Sequence, residues 1–462
     1  MMRINLIVNK ELGFTRVLQL KSKKVSNLGL LTLLILWCNL SVAQQVIKPS
    51  EAVALALENN FGIKIAYNNV EIAENNQNIL NSGYLPTLTG LAGASIDRQN
   101  SEGQLANGDT RVAEGAETRR YNASINLNYT LFDGLGRYYD YKRLKQEYDL
   151  SELQARETIE NTTVQLLSVY YNVAQQSENL KSLEETIEIS KDRLLRSEYQ
   201  FDYGQNTKLE VLNARVDINN DSISIISARQ NLINAKRDLN VVTGNTIANT
   251  FEVDTTVAFL IQLNKSDLLA KMQENNVILA QNDKNIAINE FTLKANKSGY
   301  LPTVGLTGSY GWNESTNNSP LAFLLQNTTT GFSAGVNLTW NLFDGGSTIT
   351  RVKNAQIALE NQKIQKEQLK IDIERNFNNA WDDYQNKLRI FEVQENNIVT
   401  AKNNFERTKE RFNIGQVTSI EFRQAQLNLL NAELSRSQAK YDAKIAEILV
   451  LQISGELLNV KL

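Results

Sequence analysis

The chain has 462 residues, with 48 Lys and Arg against 51 Asp and Glu, a formal net charge of −3, no histidine and a single cysteine, Cys38. A near-neutral balance offers no positive field to a nucleic-acid backbone, and the missing histidine removes the commonest general base and the commonest metal ligand. The carboxylates are numerous but form no compact constellation, and no Gly-rich phosphate loop or zinc pattern occurs, so neither an enzyme, a metal nor a cofactor is expected.

Residues 1–43 read as a signal peptide. Lys21, Lys23 and Lys24 form its positive region, Leu28 to Leu40 an apolar run, and Ser41-Val42-Ala43 the small residues before Gln44. The run is short for a spanning helix. Cys38 falls inside this segment, and Trp37 stands where a lipoprotein signal has a small residue. Beyond residue 44 no stretch of 18 or more apolar residues follows, so the mature chain is either soluble or enters a membrane as β-strands.

A helix of about thirty residues is expected near 50–82, stopped by Gly83 in a left-handed cap with Pro86 preventing resumption. Strands follow at about 85–97 and 120–132, with a polar loop over 97–119. Asp133 is placed to N-cap a helix that runs unbroken to Gly204, and a further helix returns to Gly244. These elements make up a first repeat, 44–244. A linker, 245–265, leads to a second repeat, 266–456, and a tail, 457–462. Ser82-Gly83-Tyr84-Leu85-Pro86-Thr87 recurs as Ser298-Gly299-Tyr300-Leu301-Pro302-Thr303, 216 residues on. Leu131-Phe132-Asp133-Gly134 recurs as Leu342-Phe343-Asp344-Gly345, and Phe201-Asp202-Tyr203-Gly204-Gln205 as Phe412-Asn413-Ile414-Gly415-Gln416, both 211 on. Glu58-Asn59-Asn60 matches Glu274-Asn275-Asn276, and Thr243-Gly244 matches Ser454-Gly455. Five matches in one order establish a duplication. The second copy is therefore expected to carry a helix at 266–297 capped by Gly299, strands at about 301–313 and 331–343, a loop at 313–331, and a helix capped by Asp344.

The second strand of each copy alternates strictly. Tyr121, Ala123, Ile125, Leu127, Tyr129 and Leu131 interleave with Asn122, Ser124, Asn126, Asn128 and Thr130. Phe332, Ala334, Val336, Leu338, Trp340 and Leu342 interleave with Ser333, Gly335, Asn337, Thr339 and Asn341. Such strands suit a membrane wall with one apolar and one wet face; Ile125, Leu127, Tyr129, Val336, Leu338 and Trp340 are the expected lipid-facing positions. A soluble sandwich is the competing reading, but no second sheet is available to cover these strands. The helices carry heptads: Leu180, Ile187, Leu194 and Phe201; Leu209, Val216 and Ile223; Ile420, Leu427, Leu434, Tyr441 and Ile448. About 65 helical residues make a rod on the order of 100 Å.

Four strands cannot close a transmembrane barrel, since the smallest have about eight, and open edges cannot face lipid. Several chains must then share one barrel, with their helices continuing from one rim as a water-filled duct. A periplasmic coiled-coil adaptor or a structural scaffold protein is the alternative, although an adaptor ordinarily has one hairpin rather than two.

The duplicated order of helix, Tyr-Leu-Pro, strand pair, Leu-Phe-Asp, long helix, Gly turn and returning helix resembles the TolC family over nearly all of residues 50–456. The resemblance implies a mainly α fold with membrane strands: a homotrimer whose twelve-stranded β-barrel continues as a periplasmic α-helical barrel. It implies an outer-membrane channel extending into the periplasm, the passive exit duct of a tripartite efflux or type I secretion system for small molecules or proteins. Its partners would be outer-membrane lipid, a periplasmic adaptor (a membrane fusion protein), and an inner-membrane pump or ABC exporter. By the same resemblance, Tyr203, Gly204, Gln205, Ile414, Gly415 and Gln416 are hairpin tips where an adaptor docks. Glu421 falls at the acidic position of the periplasmic aperture and Glu210 is its first-repeat counterpart. A second acidic position corresponds to Gln424, and a gating tyrosine to Phe412, so the family's hydrogen-bonded gate does not carry over intact.

Overall fold

The computed structural model describes residues 46–247, 251–260, 263–319 and 322–460. The expected signal peptide, with Cys38 and its cleavage site, lies outside the described residues. Among the described residues, no helix is long and apolar enough to cross a membrane.

In chain order the elements are β1 (Val46–Ile47), α1 (Pro49–Asn59), α2 (Phe61–Asn76), β2 (Thr87–Gln104), β3 (Thr110–Phe132), α3 (Gly136–Asp202) and α4 (Lys208–Val242). Then come β4 (Glu252–Val253), α5 (Lys265–Asn275), α6 (Val277–Lys297), β5 (Thr303–Asn317), β6 (Gln326–Thr339), α7 (Ser347–Asn413) and α8 (Ser419–Ile453). The duplication is visible in the lengths: α3 and α7 each have 67 residues, and α4 and α8 each have 35. Each long helix spans roughly 100 Å at 1.5 Å per residue.

The single thirty-residue helix expected at the start of each copy is two helices. Asn60 and Asn276 are both in extended backbone and break it. Asn60 Oδ1 accepts from the Ile63 amide at 3.2 Å, and its Nδ2 donates to the Val242 carbonyl at 2.9 Å. Asn276 accepts from Ile278 and Leu279, and donates to the Ile453 carbonyl at 2.9 Å. Each asparagine thus caps the N-terminus of one helix and a C-terminal carbonyl of another. Gly244 and Gly455 lie at these crossings with positive φ, where a Cβ would meet the Asn59 carbonyl oxygen at 2.6 Å and that of Asn275 at 2.5 Å. Gly83 has φ +70, as a left-handed stop requires, but Gly299 does not; it sits in a 3-10 turn over Ser298–Tyr300, with Thr348 where a side chain would go.

Asp133 and Asp344 are not themselves the N-caps of α3 and α7; those are Leu135 and Gly346, both left-handed. The carboxylates reach in from two residues earlier. Asp133 accepts from the Arg137 amide at 3.0 Å, and Asp344 from the Thr348 amide at 2.9 Å. They still satisfy orphan amides at the positive end of the helix dipole.

The four long strands form one antiparallel sheet in the order β2-β3-β5-β6. The strands outrun expectation: β2 reaches Gln104 and β3 begins at Thr110, so most of the expected loop 97–119 is a paired hairpin. Likewise β5 runs to Asn317 and β6 starts at Gln326. β6 ends at Thr339, so Trp340 and Leu342 lie just outside it, the Trp340 indole donating to the Tyr300 carbonyl at 3.2 Å. Register slips between Thr130 and Phe132, and Phe132 pairs with Val304 where Leu131 was expected to continue the alternation.

Packing divides the helices by height. A core around Leu166, Tyr170, Tyr171, Leu239, Ile448 and Leu451 binds both copies to the small parallel pair β1-β4. Tyr170 is fully buried, and its hydroxyl donates to the Ile47 carbonyl at 2.7 Å while accepting from the Asp254 amide at 3.0 Å. The connector between the copies is held along one face of α8. There, Lys444 donates to the Ala258 carbonyl at 2.7 Å, and Glu447 accepts from the Leu260 amide at 2.7 Å. A second core surrounds Phe377, Tyr384 and Val450, and a third, near the hairpin tips, joins Phe405, Phe412 and Phe422.

Candidate functional site

Two regions concern function: the sheet, and the tips of the two long hairpins. Cross-strand register sorts the sheet into two unlike faces. Leu88, Leu127, Gly308 and Ala334 form one row, and Gly90, Ile125, Tyr310 and Phe332 another. Tyr129, Leu306 and Val336 form a third. On the opposite face the rows are Thr89, Asn126, Ser309 and Ser333; Gly93, Asn122, Asn313 and Thr329; and Ser95, Arg120, Ser315 and Asn327. Leu91 is an apolar exception there. Among the described residues nothing covers the apolar face: Ile125 is 53% exposed, Val336 67% and Leu338 65%. Large apolar side chains presented in registered rows to the outside are what lipid accepts and water does not. All four helix junctions leave the same end of the sheet, beside the row that holds Asn128 and Thr307.

At the tips, α3 and α7 end in identical Schellman turns. The Gln205 amide reaches back to the Gln200 carbonyl at 2.7 Å, and the Gln416 amide to that of Arg411 at 2.8 Å. Gly204 and Gly415 hold the left-handed position with φ 73 and 75. Tyr203 and Ile414 project at 79% and 69% exposure, so the two tips offer different side chains on one backbone. Beside them a cavity of about 540 Å³ opens between α3 and α7, lined by Leu195, Arg196, Tyr199, Tyr203, Lys409 and Phe412.

The aperture candidates part company. Glu421 is the third residue of α8 and closes a reciprocal capping box with Thr418. Its carboxylate accepts from the Thr418 amide at 2.8 Å and hydroxyl at 2.9 Å. Those two bonds hold its pKa below the ordinary carboxylate range. Glu210 is the equivalent residue of α4 but accepts from Asn206 Nδ2 at 2.9 Å instead. Glu210 and Gln424 line one groove of about 260 Å³ with Ile420 and Asp217, whereas Glu421 does not border it. Gln424 donates to Asn428 at 2.8 Å. Phe412, at the position of the expected gating tyrosine, stacks on Phe422 with ring centroids 4.6 Å apart, and the Arg196 guanidinium lies over the Phe412 ring, 5.7 Å from its centroid.

Sequence reading missed the buried charge cluster just above this groove. Arg193 and Ser190 come from α3, Asp217 and Asp221 from α4, Arg423 and Gln426 from α8. Arg423 Nη2 donates to Asp221 Oδ1 at 2.6 Å, and Arg193 pairs with Asp217. Ser190 Oγ donates to Asp221 Oδ2 at 2.6 Å, and Gln426 Nε2 donates to the Thr186 carbonyl at 2.8 Å. Arg423 Nε remains 3.8 Å from Asp217 Oδ1, too far for a hydrogen bond. The Arg423 and Asp221 side chains are only 11% and 9% exposed. This cluster clasps the second hairpin to the first. The available signal was Asp217 and Asp221, four apart on one face of a helix whose other residues read as coiled coil.

Among the described residues no group of three or more acidic, cysteine or histidine side chains could hold a metal ion. The outer membrane efflux protein family model matches residues 52–245 and 268–456, one match for each copy of the duplication. Outer membrane efflux protein BepC of Brucella suis is 20% identical over 408 residues, covering 88% of this chain and 85% of BepC. Outer membrane protein TolC of Vibrio cholerae is 23% identical over 395 residues, covering 81% of this chain and 83% of that protein. Among solved structures, the Campylobacter jejuni CmeC outer membrane channel superposes with a TM-score of 0.73 at 19% identity, covering 88% of this chain and 86% of CmeC. CusC superposes with a TM-score of 0.70 at 16% identity, covering 88% and 92%.

Proposed function

The chain belongs to the outer membrane efflux protein family, and we propose on that premise how its residues build the duct. It is a passive export conduit of the outer membrane that reaches into the periplasm, not an enzyme and not an adaptor. The family works within tripartite efflux systems. In our reading three copies share a twelve-stranded barrel, and their hairpins continue it as a helical barrel. The tips, Tyr203-Gly204-Gln205 and Ile414-Gly415-Gln416, receive a periplasmic adaptor that links the duct to an inner-membrane pump or ABC exporter. The observation that carries this reading is the sheet: one apolar face, one polar face, two unpaired edges, and every helix leaving from the same end.

Glu210, Glu421 and Gln424 form the narrow entrance in this reading. Glu421 suits the role because its capping bonds keep it ionised, and a ring of such carboxylates in a narrow mouth focuses a cation-attracting field. The purified protein in a planar bilayer is therefore expected to conduct, to prefer cations, and to be blocked by a trivalent cation. The block should fade with salt, since screening acts over about 10 Å at 0.1 M. Joint Glu210→Gln and Glu421→Gln substitution should relieve the block, while Asp109→Asn in the β2-β3 turn should leave it intact. Absence of conductance would defeat the channel reading; block unchanged in the double variant would defeat only the entrance assignment.

A further inference from the structure

No role in the duct falls to the cavity beside the hairpin tips, yet its lining is chemically one-sided. On α3, Arg196, Tyr199 and Tyr203 follow at intervals of three and four, so they share one stripe of the helix and its cap. On α7, Phe405, Lys409 and Phe412 do the same. The two stripes meet at the cavity, where the Arg196 guanidinium donates to the Asn413 carbonyl at 3.2 Å and lies over the Phe412 ring. Lys409 lies over the Phe405 ring, 5.9 Å from its centroid. Tyr199 and Tyr203 are 57% and 79% exposed, and neither stacks on another ring among the described residues.

Nearby, Arg193 meets Asp217, Arg423 meets Asp221, Arg215 meets Glu198 and Lys191 meets Glu188. Arg196 and Lys409, by contrast, form no ion pair among the described residues. Asp192 is the one carboxylate in the lining, four residues before Arg196, and it pairs with neither. Arg193 adds a third cation to the lining. Its side chain is buried, and its Nε has no hydrogen-bond partner among the described residues. Three cations against one carboxylate give the cavity a positive field, in a chain whose net charge is −3. Its volume, about 540 Å³, falls within the roughly 300–1,000 Å³ of small-molecule sites.

We propose that this cavity binds an aromatic anion, a planar ring bearing a carboxylate or a sulfonate. The ring lies against the exposed faces of Tyr199 and Tyr203, which supply offset or edge-on stacking. The anionic group lies between Arg196 and Lys409, one a planar fork of donors and the other a compact point charge. A cation is rejected by the field of the lining. An aliphatic anion leaves the tyrosine rings uncovered, and an uncharged arene leaves the two cations unpaired. Arg196 belongs to the first hairpin and Lys409 to the second, so occupancy joins the last turns of α3 to those of α7. A ligand that binds only while these turns are adjacent stabilises that arrangement by mass action. An aromatic anion therefore holds the tips together as its concentration rises.

The probe is 2-naphthoate, with 2-naphthamide as the uncharged ring and cyclohexanecarboxylate as the anion without an aromatic ring. Binding to the purified protein in an uncharged detergent is measured by equilibrium dialysis against protein-free micelles. 2-Naphthoate should bind saturably with a Kd below about 1 mM, and each control about tenfold more weakly. Arg196→Gln and Lys409→Gln should each weaken 2-naphthoate about tenfold, and Arg196→Lys should weaken it less than Arg196→Gln. Lys191→Gln, at a paired lysine outside the cavity, should change nothing. Far-UV circular dichroism of each variant should match the wild type, which separates lost binding from lost folding. Hydrogen exchange over 196–203 and 405–413 should slow in saturating 2-naphthoate. No saturable binding below about 1 mM overturns the proposal. So does equal affinity for the amide, unchanged affinity in both glutamine variants, or slowed exchange confined to other segments.

Discussion

Removing the charge of Asp221 should loosen the hairpin tips. Arg423 and Asp221 are 11% and 9% exposed and 2.6 Å apart, and Arg193 and Asp217 complete a cluster of two cations and two anions. Asp221→Asn keeps the shape and leaves a net positive charge in a desolvated site. Breaking one partner of a buried pair costs about 3–5 kcal/mol, and because Asn retains hydrogen-bonding atoms the lower end applies, about 3 kcal/mol. At about 1.4 kcal/mol per tenfold, the clasp should open on the order of 100-fold more often. Local opening is read by proteolysis, whose rate follows the open population when reclosing is fast. Trypsin should therefore cut near the tips on the order of 100-fold faster, and the bilayer conductance should rise. Asp221→Leu combined with Arg423→Met removes both charges, and should return cutting to within about tenfold of wild type, because an apolar replacement of a buried pair is near neutral. Equal cutting and conductance in wild type and Asp221→Asn would refute the clasp.

The faces of the sheet and the cap at Glu421 can be tested in the same preparations. Leu127→Arg and Leu338→Arg should impair membrane assembly, each by about 2–4 kcal/mol near the bilayer midplane, whereas Asn126→Arg and Asn337→Arg should assemble and alter conductance. Equal tolerance, measured by yield of heat-modifiable protein in outer-membrane fractions, would contradict the register of faces. Glu421 has a lowered folded-state pKa, so the unfolded segment binds more protons in acid; its stabilising contribution is complete above about 4.5 and is lost as pH falls through the folded value. Hydrogen-exchange protection at the start of α8, taken relative to the intrinsic rate at each pH, should fall on acidification in the wild type and not in Glu421→Gln; parallel protection profiles would show that the capping bonds do not matter.

Most of the fold was legible because its signals are local and long. Eleven alternating residues report a two-faced strand, and helices of 67 residues leave room for heptads to declare themselves. The misreadings lie where distant contacts decide. Nothing near Asn60 or Asn276 breaks helical periodicity; the breaks exist because each side chain bonds a carbonyl nearly two hundred residues away. The β2-β3 hairpin was read as a loop because apolar alternation fades beyond Ile96, yet backbone pairing continues through Asp97 with Thr118 and Arg98 with Glu117. At the tips, Gly204 and Gly415 were readable from turn chemistry. Thr418-Ser419-Ile420-Glu421 also carries the capping-box pattern, so a structural task for Glu421 was there to be seen. The Arg193–Asp217 and Arg423–Asp221 pairs were not, because heptads do not say which flank a third helix covers.

The two copies differ near the tips, and the difference has a mechanical consequence. Inside a chain, hairpin meets hairpin through a desolvated cluster of four charges with its hydrogen bonds. The matching place of the second copy, between α7 and α8, is a groove of about 380 Å³ lined by Asn404, Asn428 and Ala432 among others. Hydrogen-bonded ion pairs penalise small displacements because their bonds are directional. A load applied at the tips is therefore resisted within the chain by the Arg423–Asp221 clasp, where the first hairpin holds the second, whereas the groove at Asn404, Asn428 and Ala432 carries none of those four charges.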